Sequence, residues 1–139
     1  PANISWGKWS AEEVIAAQIK GNLLLVDFTA DWCAVCKYIE KTAINVPTVR
    51  GKLAQLNVVA LKADFTDKSK VILEEMNRFG RPGPPLVLVY PPKERAKPIV
   101  MPQVFTSVDL LKALNQAGGS LSKAQKNLES AEASATPRR

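Results

Sequence analysis

The sequence predicts an α/β fold in which a central mixed β-sheet is flanked by helices on both faces. Three apolar runs, 23–28, 58–63 and 86–90, have the length and composition of strands buried on both sides. Stretches with helical spacing of apolar residues separate these runs, which is typical of an α/β chain. A short run at 98–101 can return beside the third strand as a hairpin, and this would make the sheet mixed.

In the first half of the chain, each element has its own local signal. Residues 1–9 suit a short edge strand or an extended arm. Ser10 with Glu13 forms a capping box that begins a helix, and this helix runs to about Ile19 and ends at Gly21. The elements predicted next are the strand 23–28, a helix from about Cys33 to Ala43, a helix from Pro47 to about Leu56, and the strand 58–63.

The second half continues the alternation. Asp67 can cap a helix that ends near Phe79, and the segment 80–85 is dense in glycine and proline, which stop a helix. The elements predicted after it are the strand 86–90, a turn over 91–97, the hairpin strand 98–101, and a helix from Ser107 to about Gln116.

Composition predicts one folded domain, residues 1–117, followed by a polar tail, residues 118–139. The chain has 139 residues, 46% of them hydrophobic, which is enough for one core. The tail is rich in Ser, Ala, Lys and Glu and has too few large apolar side chains to fold alone. We therefore expect it to be a frayed helix or disordered.

Composition also argues against several classes of partner. The net charge is +6, but Lys and Arg are scattered and only 6% of residues are aromatic, which disfavours nucleic-acid binding. No apolar run approaches the ~20 residues that a membrane-spanning helix needs. The chain starts at Pro1 with neither methionine nor signal peptide, so we expect a piece of a longer protein, and we expect it to be monomeric.

The only two cysteines, Cys33 and Cys36, follow a predicted strand with C-x-x-C spacing. If a helix begins at Cys33, its sulfur lies beside unpaired N–H groups and the positive end of the helix dipole, which favours thiolate. Strand, C-x-x-C and helix in this order are typical of a redox-active site. We therefore predict a redox-active disulfide.

Two other interpretations of the pair are a zinc site and an inert structural disulfide. Zinc takes four ligands, and the chain has no histidine and no third cysteine, so we expect no metal and no cofactor. A disulfide across three residues closes too small a loop to restrict the unfolded chain much. The structural interpretation stays open as an alternative.

The segment 25–37 resembles the active-site segment of the thioredoxin superfamily. It resembles more closely the C-terminal thioredoxin-like domain of the DsbD family of bacterial membrane thiol–disulfide interchange proteins. Glu40 and the stretches 61–66 and 79–86 also fit that domain, so the resemblance covers about residues 5–116. It implies a thioredoxin-like fold.

The resemblance also implies a function. Such a domain is periplasmic, takes electrons from a membrane-embedded partner domain, and passes them to other protein thiols and disulfides. Ala34 and Val35 offer no side-chain donor to a thiolate, which favours a reducing potential, roughly −200 to −270 mV, and the reductase direction. The alternatives are a free-standing thioredoxin-like reductase, which could be cytoplasmic, and a redox-inert binding module.

Cys33 and Cys36 have different predicted roles. Cys33, at the helix start, is the expected attacking sulfur, and Cys36, one turn deeper, is the expected resolving sulfur. Trp32 is expected to cover one side of the pair and to contact substrate, although it could equally be a core residue.

Two acids are expected to act on the sulfurs. Asp27 interrupts an apolar strand, so burial should raise its pKa, and we expect it to relay protons for Cys36. The alternative is a strand-end acid that reaches solvent. Glu40 lies on the same helix face as both cysteines and should disfavour their thiolates. Its alternative is a solvated helix glutamate.

Pro84 and Pro85 are the last predicted site residues. The resemblance implies that Pro85 is cis and that its loop lies beside the C-x-x-C. It also implies that the residue before this proline pairs with the substrate backbone. Pro84 has no N–H, so we expect its carbonyl and apolar contacts around Trp32 to hold substrate. A plain proline turn is the alternative.

Overall fold

The computed structural model describes residues 3–119. The strands are β1 (Trp6–Lys8), β2 (Leu24–Thr29), β3 (Val59–Asp64), β4 (Leu86–Tyr90) and β5 (Ile99–Val100). The helices are α1 (Ala11–Ile19), α2 (Ala34–Ile39), α3 (Pro47–Gln55), α4 (Lys70–Arg78) and α5 (107–119), and α2 continues directly into a π-helical turn (Glu40–Ile44).

The five strands form one mixed sheet in the order β1-β3-β2-β4-β5. The strands β1, β3 and β2 are parallel, whereas β4 is antiparallel to both β2 and β5. The predicted mixed sheet and the hairpin of its last two strands are therefore confirmed. The N-terminal segment forms a strand at the sheet edge, as one of the two interpretations of residues 1–9 expected.

The central strand β2 is buried along its whole length because helices cover both faces of the sheet. Alternate side chains point to opposite faces, so Val26 and Phe28 enter one apolar cluster and Leu25 enters the other. Helices α1 and α4 complete the first cluster with Val14 and Met76. The second cluster is completed by α2, the π-turn, α3 and α5.

The capping signal of α1 is confirmed. The Ser10 hydroxyl accepts a hydrogen bond from the backbone N–H of Glu13 at 3.1 Å. Gly21, just past the helix end, has φ of +80°, a conformation that glycine adopts readily.

The predicted cap of α4 is wrong. Ser69, and not Asp67, caps this helix, because its hydroxyl accepts a hydrogen bond from the N–H of Ile72 at 3.4 Å. Lys68 lies between the two candidates with φ of 56°, which no α-helix accommodates. The chain therefore turns once more before the helix begins.

Two other helices differ in detail from expectation. The helix after the cysteines begins at Ala34, one residue later than expected, and changes from α to π geometry at Glu40. Helix α5 passes Gln116 and continues through residue 119, where the described residues end. Residues 120–139, most of the predicted tail, lie outside the described residues. Within 3–119, no helix combines the length and apolar character needed to cross a bilayer.

Candidate active site around the Cys33–Cys36 disulfide

Cys33 and Cys36 form a disulfide, with Cα atoms 5.3 Å apart. Cys33 is the N-cap of α2, in an extended backbone conformation, and its Sγ accepts a hydrogen bond from the N–H of Cys36 at 3.2 Å. Cys33 is 8% exposed and Cys36 is 0% exposed. Cys33 thus lies at the helix start and is slightly more exposed than Cys36 one turn deeper, which is consistent with the expected order of the two sulfurs.

Trp32, next to the disulfide in the chain, is anchored by contacts with Phe65 and Thr66, the two residues that follow β3. Its Nε1 donates to the carbonyl of Thr66 at 3.0 Å, and its ring meets the Phe65 ring edge-on with centroids 6.0 Å apart. The Thr66 hydroxyl also accepts from the N–H of Asp31 at 2.9 Å. Trp32 is nevertheless 52% exposed, so it is anchored to the domain and still open to a partner.

Asp27 is fully buried in β2, and within the described chain neither carboxyl oxygen has a hydrogen-bond partner. Strand alternation turns it away from its neighbours Val26 and Phe28 and toward the second apolar cluster. Burial raises the pKa of Asp27 well above its usual value of 3.8, and the charge of Glu40 raises it further. The alternative of a strand-end acid reaching solvent is therefore excluded.

Glu40 supplies a second carboxyl group, which interacts with that of Asp27. It is the first residue of the π-turn, and its Oε2 is buried without a hydrogen-bond partner in the described chain. The nearby Glu40 carboxyl group raises the pKa of Asp27, because a second negative charge close by disfavours ionisation. The structure thus brings together two predicted site acids.

Lys62 is a third ionisable residue near the pair, which sequence reasoning did not single out. It lies directly opposite Asp27 in the register of β2 and β3, and its positive charge lowers the pKa of Asp27. Its Nζ lies 4.9 Å from the centroid of the Trp6 ring. The signal was available in the sequence, since Lys62 is the one cation inside the apolar run 58–63.

The proline loop, defined as residues 80–85, enters β4 at the same end of the sheet as the disulfide. The Pro84–Pro85 peptide bond is cis, as expected. Leu86 pairs with Phe28 at the end of β2 and belongs to the same apolar cluster as both cysteines. Pro85 is buried and Pro84 is half-buried.

The side chain of Arg81 binds the end of this loop, a contact that the sequence did not predict. Its Nη1 donates to the carbonyl of Pro85 at 2.9 Å, and its Nη2 donates to the carbonyl of Met101 at 3.0 Å. The sequence carried only a weak signal, since a cation between a glycine and a proline in a loop is ordinarily read as a surface residue.

Exposed apolar side chains lie next to the cysteines in the chain. Trp32 precedes Cys33, and Val35 and Tyr38 belong to α2; each is between 42% and 59% exposed. Val35 and Tyr38, three residues apart, lie on one side of the helix. An apolar face of this kind, next to a reactive group, is typical of a protein contact surface.

A sulfur at the start of a helix, its partner one turn deeper and a buried acid on the preceding strand can together carry out thiol–disulfide exchange. Fold and site therefore define a protein of the thioredoxin-fold dithiol–disulfide class. The chain belongs to the thioredoxin-like family, whose model matches residues 5–92.

Among curated proteins, the chain is similar to the thiol:disulfide interchange proteins DsbD. It is 32% identical over 108 residues to DsbD of Ralstonia nicotianae, which is 78% of this chain and 17% of that protein. It is 33% identical over 76 residues to DsbD 1 of Pseudomonas aeruginosa, which is 55% of this chain and 12% of that protein. The chain thus spans less than a fifth of the length of these relatives.

Solved structures agree on the fold. The oxidised C-terminal domain of DsbD from Neisseria meningitidis matches with a TM-score of 0.60 at 19% identity, over 81% of this chain and 99% of that one. A thioredoxin from Thermus thermophilus matches with a TM-score of 0.60 at 23% identity, over 81% and 87%. The thioredoxin-like fold and the resemblance to DsbD are therefore confirmed.

Proposed function

We propose that this domain is a protein-disulfide reductase that relays electrons through the Cys33–Cys36 pair. The observation that supports this most directly is the unequal placement of the two cysteines, since Cys33 is the N-cap of α2 and 8% exposed, whereas Cys36 lies one turn deeper and is 0% exposed. A structural disulfide has no need of such an arrangement, whereas a two-step exchange needs one sulfur to meet substrate and another to release it.

In the proposed reaction the reduced Cys33 thiolate attacks one sulfur of a substrate disulfide. A mixed disulfide forms, the substrate S–S bond breaks, and the leaving substrate sulfur takes up a proton. The Cys36 thiolate then attacks the Cys33 sulfur, which re-forms the intramolecular disulfide and releases the second substrate thiol. Two electrons pass to the substrate, and a donor dithiol restores them to the domain.

Asp27 and Glu40 are proposed to manage the protons of this cycle. Cys36 must lose its proton before it can attack, and its buried sulfur has no access to bulk water as an acceptor. Asp27 lies inside the domain on the strand that leads to the disulfide, and its raised pKa suits it to take up and release a proton within the cycle. Before the reduced domain meets substrate, negative charge on Asp27 and Glu40 disfavours the thiolate form of Cys33.

The upstream donor is proposed to be a membrane-embedded domain of the same full-length protein, which would place this domain in the periplasm. The support is the similarity to DsbD proteins, of which this chain matches only 17% or less. The exposed face of Trp32, Val35 and Tyr38 is the proposed docking surface for the donor and for thiol proteins downstream.

A redox titration with an activity assay tests the proposal. We expect the pair to titrate at roughly −200 to −270 mV and the reduced domain to reduce insulin disulfides. A Cys36→Ala variant should be inactive in turnover. A pair that dithiothreitol does not reduce would instead support a structural disulfide. The length of the encoding reading frame distinguishes a relay, which needs upstream membrane spans, from a free-standing reductase.

A further inference from the structure

The side chain of Arg81 makes two hydrogen bonds that join the proline loop to the edge of the sheet. One goes to the carbonyl of Pro85, at 2.9 Å, and the other to the carbonyl of Met101, at 3.0 Å. Met101 is itself tied to β4, because its N–H donates to the carbonyl of Val87 at 3.0 Å. The guanidinium therefore connects the end of the loop to a fixed part of the fold.

The second half of the proline loop, residues 82–85, has little means of holding itself in place, whereas Gly80 and Arg81 donate backbone N–H groups to the carbonyls of Asn77 and Met76 in α4. Proline has no backbone N–H, so Pro82, Pro84 and Pro85 cannot donate, and Gly83 is the only donor in this stretch. A loop is normally fixed by backbone hydrogen bonds that its own residues donate. Here the donors come from a side chain, and a charged donor makes a stronger hydrogen bond than a neutral one.

Fixing the carbonyl of Pro85 also orients the residue before it. The Pro84–Pro85 peptide unit is planar, and the pyrrolidine ring of Pro85 sets its own φ. Only one soft torsion, ψ of Pro85, therefore separates that peptide unit from the carbonyl that Arg81 holds. The Pro84 carbonyl belongs to the same peptide unit, and Pro84 as a residue is half-buried, whereas Pro85 is buried.

We propose that Arg81 is a positioning residue for substrate, acting through the Pro84 carbonyl. The inference rests on the proposed function and adds the class of substrate that depends on this residue. The Pro84 carbonyl accepts a hydrogen bond from a backbone N–H of an extended peptide beside the cystine under attack. A disulfide without amide groups, such as hydroxyethyl disulfide, has no such N–H, so its reduction does not depend on Arg81.

The test compares a protein disulfide with a small one. Wild type, Arg81→Met and Arg81→Lys are assayed for dithiothreitol-driven reduction of insulin and of hydroxyethyl disulfide, and the potential of each Cys33–Cys36 pair is titrated. Arg78→Met is the matched control, because the Arg78 guanidinium pairs with Glu75 at 2.7 Å and, within residues 3–119, does not bind the carbonyls that Arg81 holds.

We expect Arg81→Met to raise the KM for insulin by up to about tenfold, the value of the one peptide hydrogen bond that a displaced Pro84 carbonyl would lose, with kcat nearly unchanged. The rate with hydroxyethyl disulfide and the potential should match wild type. Arg81→Lys keeps a charged donor and should recover part of the affinity. Arg78→Met should behave as wild type on both disulfides.

The opposite results are equally informative. An unchanged KM for insulin in Arg81→Met overturns the inference, and so does an equal loss on both disulfides, which would indicate a merely structural role. If Arg81→Met does not fold, Arg81→Lys decides: a raised KM for insulin alone supports the inference, and an unchanged one overturns it. A wild-type domain inactive on both disulfides overturns the proposed function, and this inference with it.

Discussion

The carboxyl group of Asp27, buried on β2, interacts with that of the partly exposed Glu40, the first residue of the π-turn. Burial and the second carboxyl group both favour a proton on Asp27. Because the groups interact, their protons leave in steps that belong to the pair and not to either residue. A substitution at either residue should therefore change the charge and the titration of the whole acid pair.

The first prediction concerns the Cys33 thiolate. In the reduced protein, Asp27→Asn and Glu40→Gln each remove a group that can carry negative charge near the cysteines at the alkaline pH where thiols titrate, so each should lower the pKa of Cys33, by about one unit. Thiolate absorbance at 240 nm, followed against pH, measures this. Glu94→Gln, an exposed acid in the turn after β4, is the control and should cause no shift. If neither interior variant lowers the Cys33 pKa, the acid pair is not coupled to the sulfurs.

The second prediction concerns stability against pH. The pKa of Asp27 is raised in the folded protein above the usual 3.8, so the folded state holds this proton more tightly than the unfolded chain does. Its contribution to stability is thus fully present below the unfolded pKa and is lost as pH rises through the folded pKa. Asp27→Asn has no proton to lose and should lack this decline.

Urea unfolding of the oxidised wild type and Asp27→Asn, at about pH 4 and about pH 8, tests this. The advantage of the variant in the free energy of unfolding should be larger at the higher pH, by on the order of 1–3 kcal/mol, the usual cost of an unsatisfied buried polar group. An equal difference at both pH values would contradict the assignment of a raised pKa.

The third prediction concerns the order in which the cysteines react. Cys33 is at the helix N-cap and partly accessible, whereas Cys36 is wholly buried. Brief treatment of the reduced protein with iodoacetamide should therefore label Cys33 at least about tenfold faster. Peptide mapping by mass spectrometry measures the ratio. Preferential labelling of Cys36 would reverse the roles proposed for the two sulfurs.

The fourth prediction concerns Lys62, whose charge lowers the pKa of Asp27. Lys62→Met removes that charge, so the Asp27 pKa should rise still further. Carboxyl carbon shifts in a pH titration by nuclear magnetic resonance report it. Lys8→Met is the matched control, since Lys8 lies opposite Lys62 on the neighbouring strand and is exposed. A titration unaffected by Lys62→Met would show that its charge is screened from the acid.

Local sequence signals predicted most of the strands and helices. The capping box at Ser10 and the apolar run of β2 act within a few residues, so the sequence alone located the helix and the strand. The sequence predicts Asp67 as the cap of α4, and this is wrong because residue type does not predict the left-handed backbone conformation of Lys68. The change to π geometry at Glu40 was likewise not predictable from helical spacing.

The sequence by itself determined the order of strands and helices, the position of the two cysteines at a helix start, and the presence of an acid within a buried strand. These follow from residue type and spacing along one chain. Only the tertiary structure decided that Asp27 meets Glu40 and lies across from Lys62, and that Arg81 reaches the carbonyls of Pro85 and Met101. Each of these contacts joins separate elements. Their geometry depends on strand register, helix packing and side-chain rotamers, which sequence periodicity does not specify.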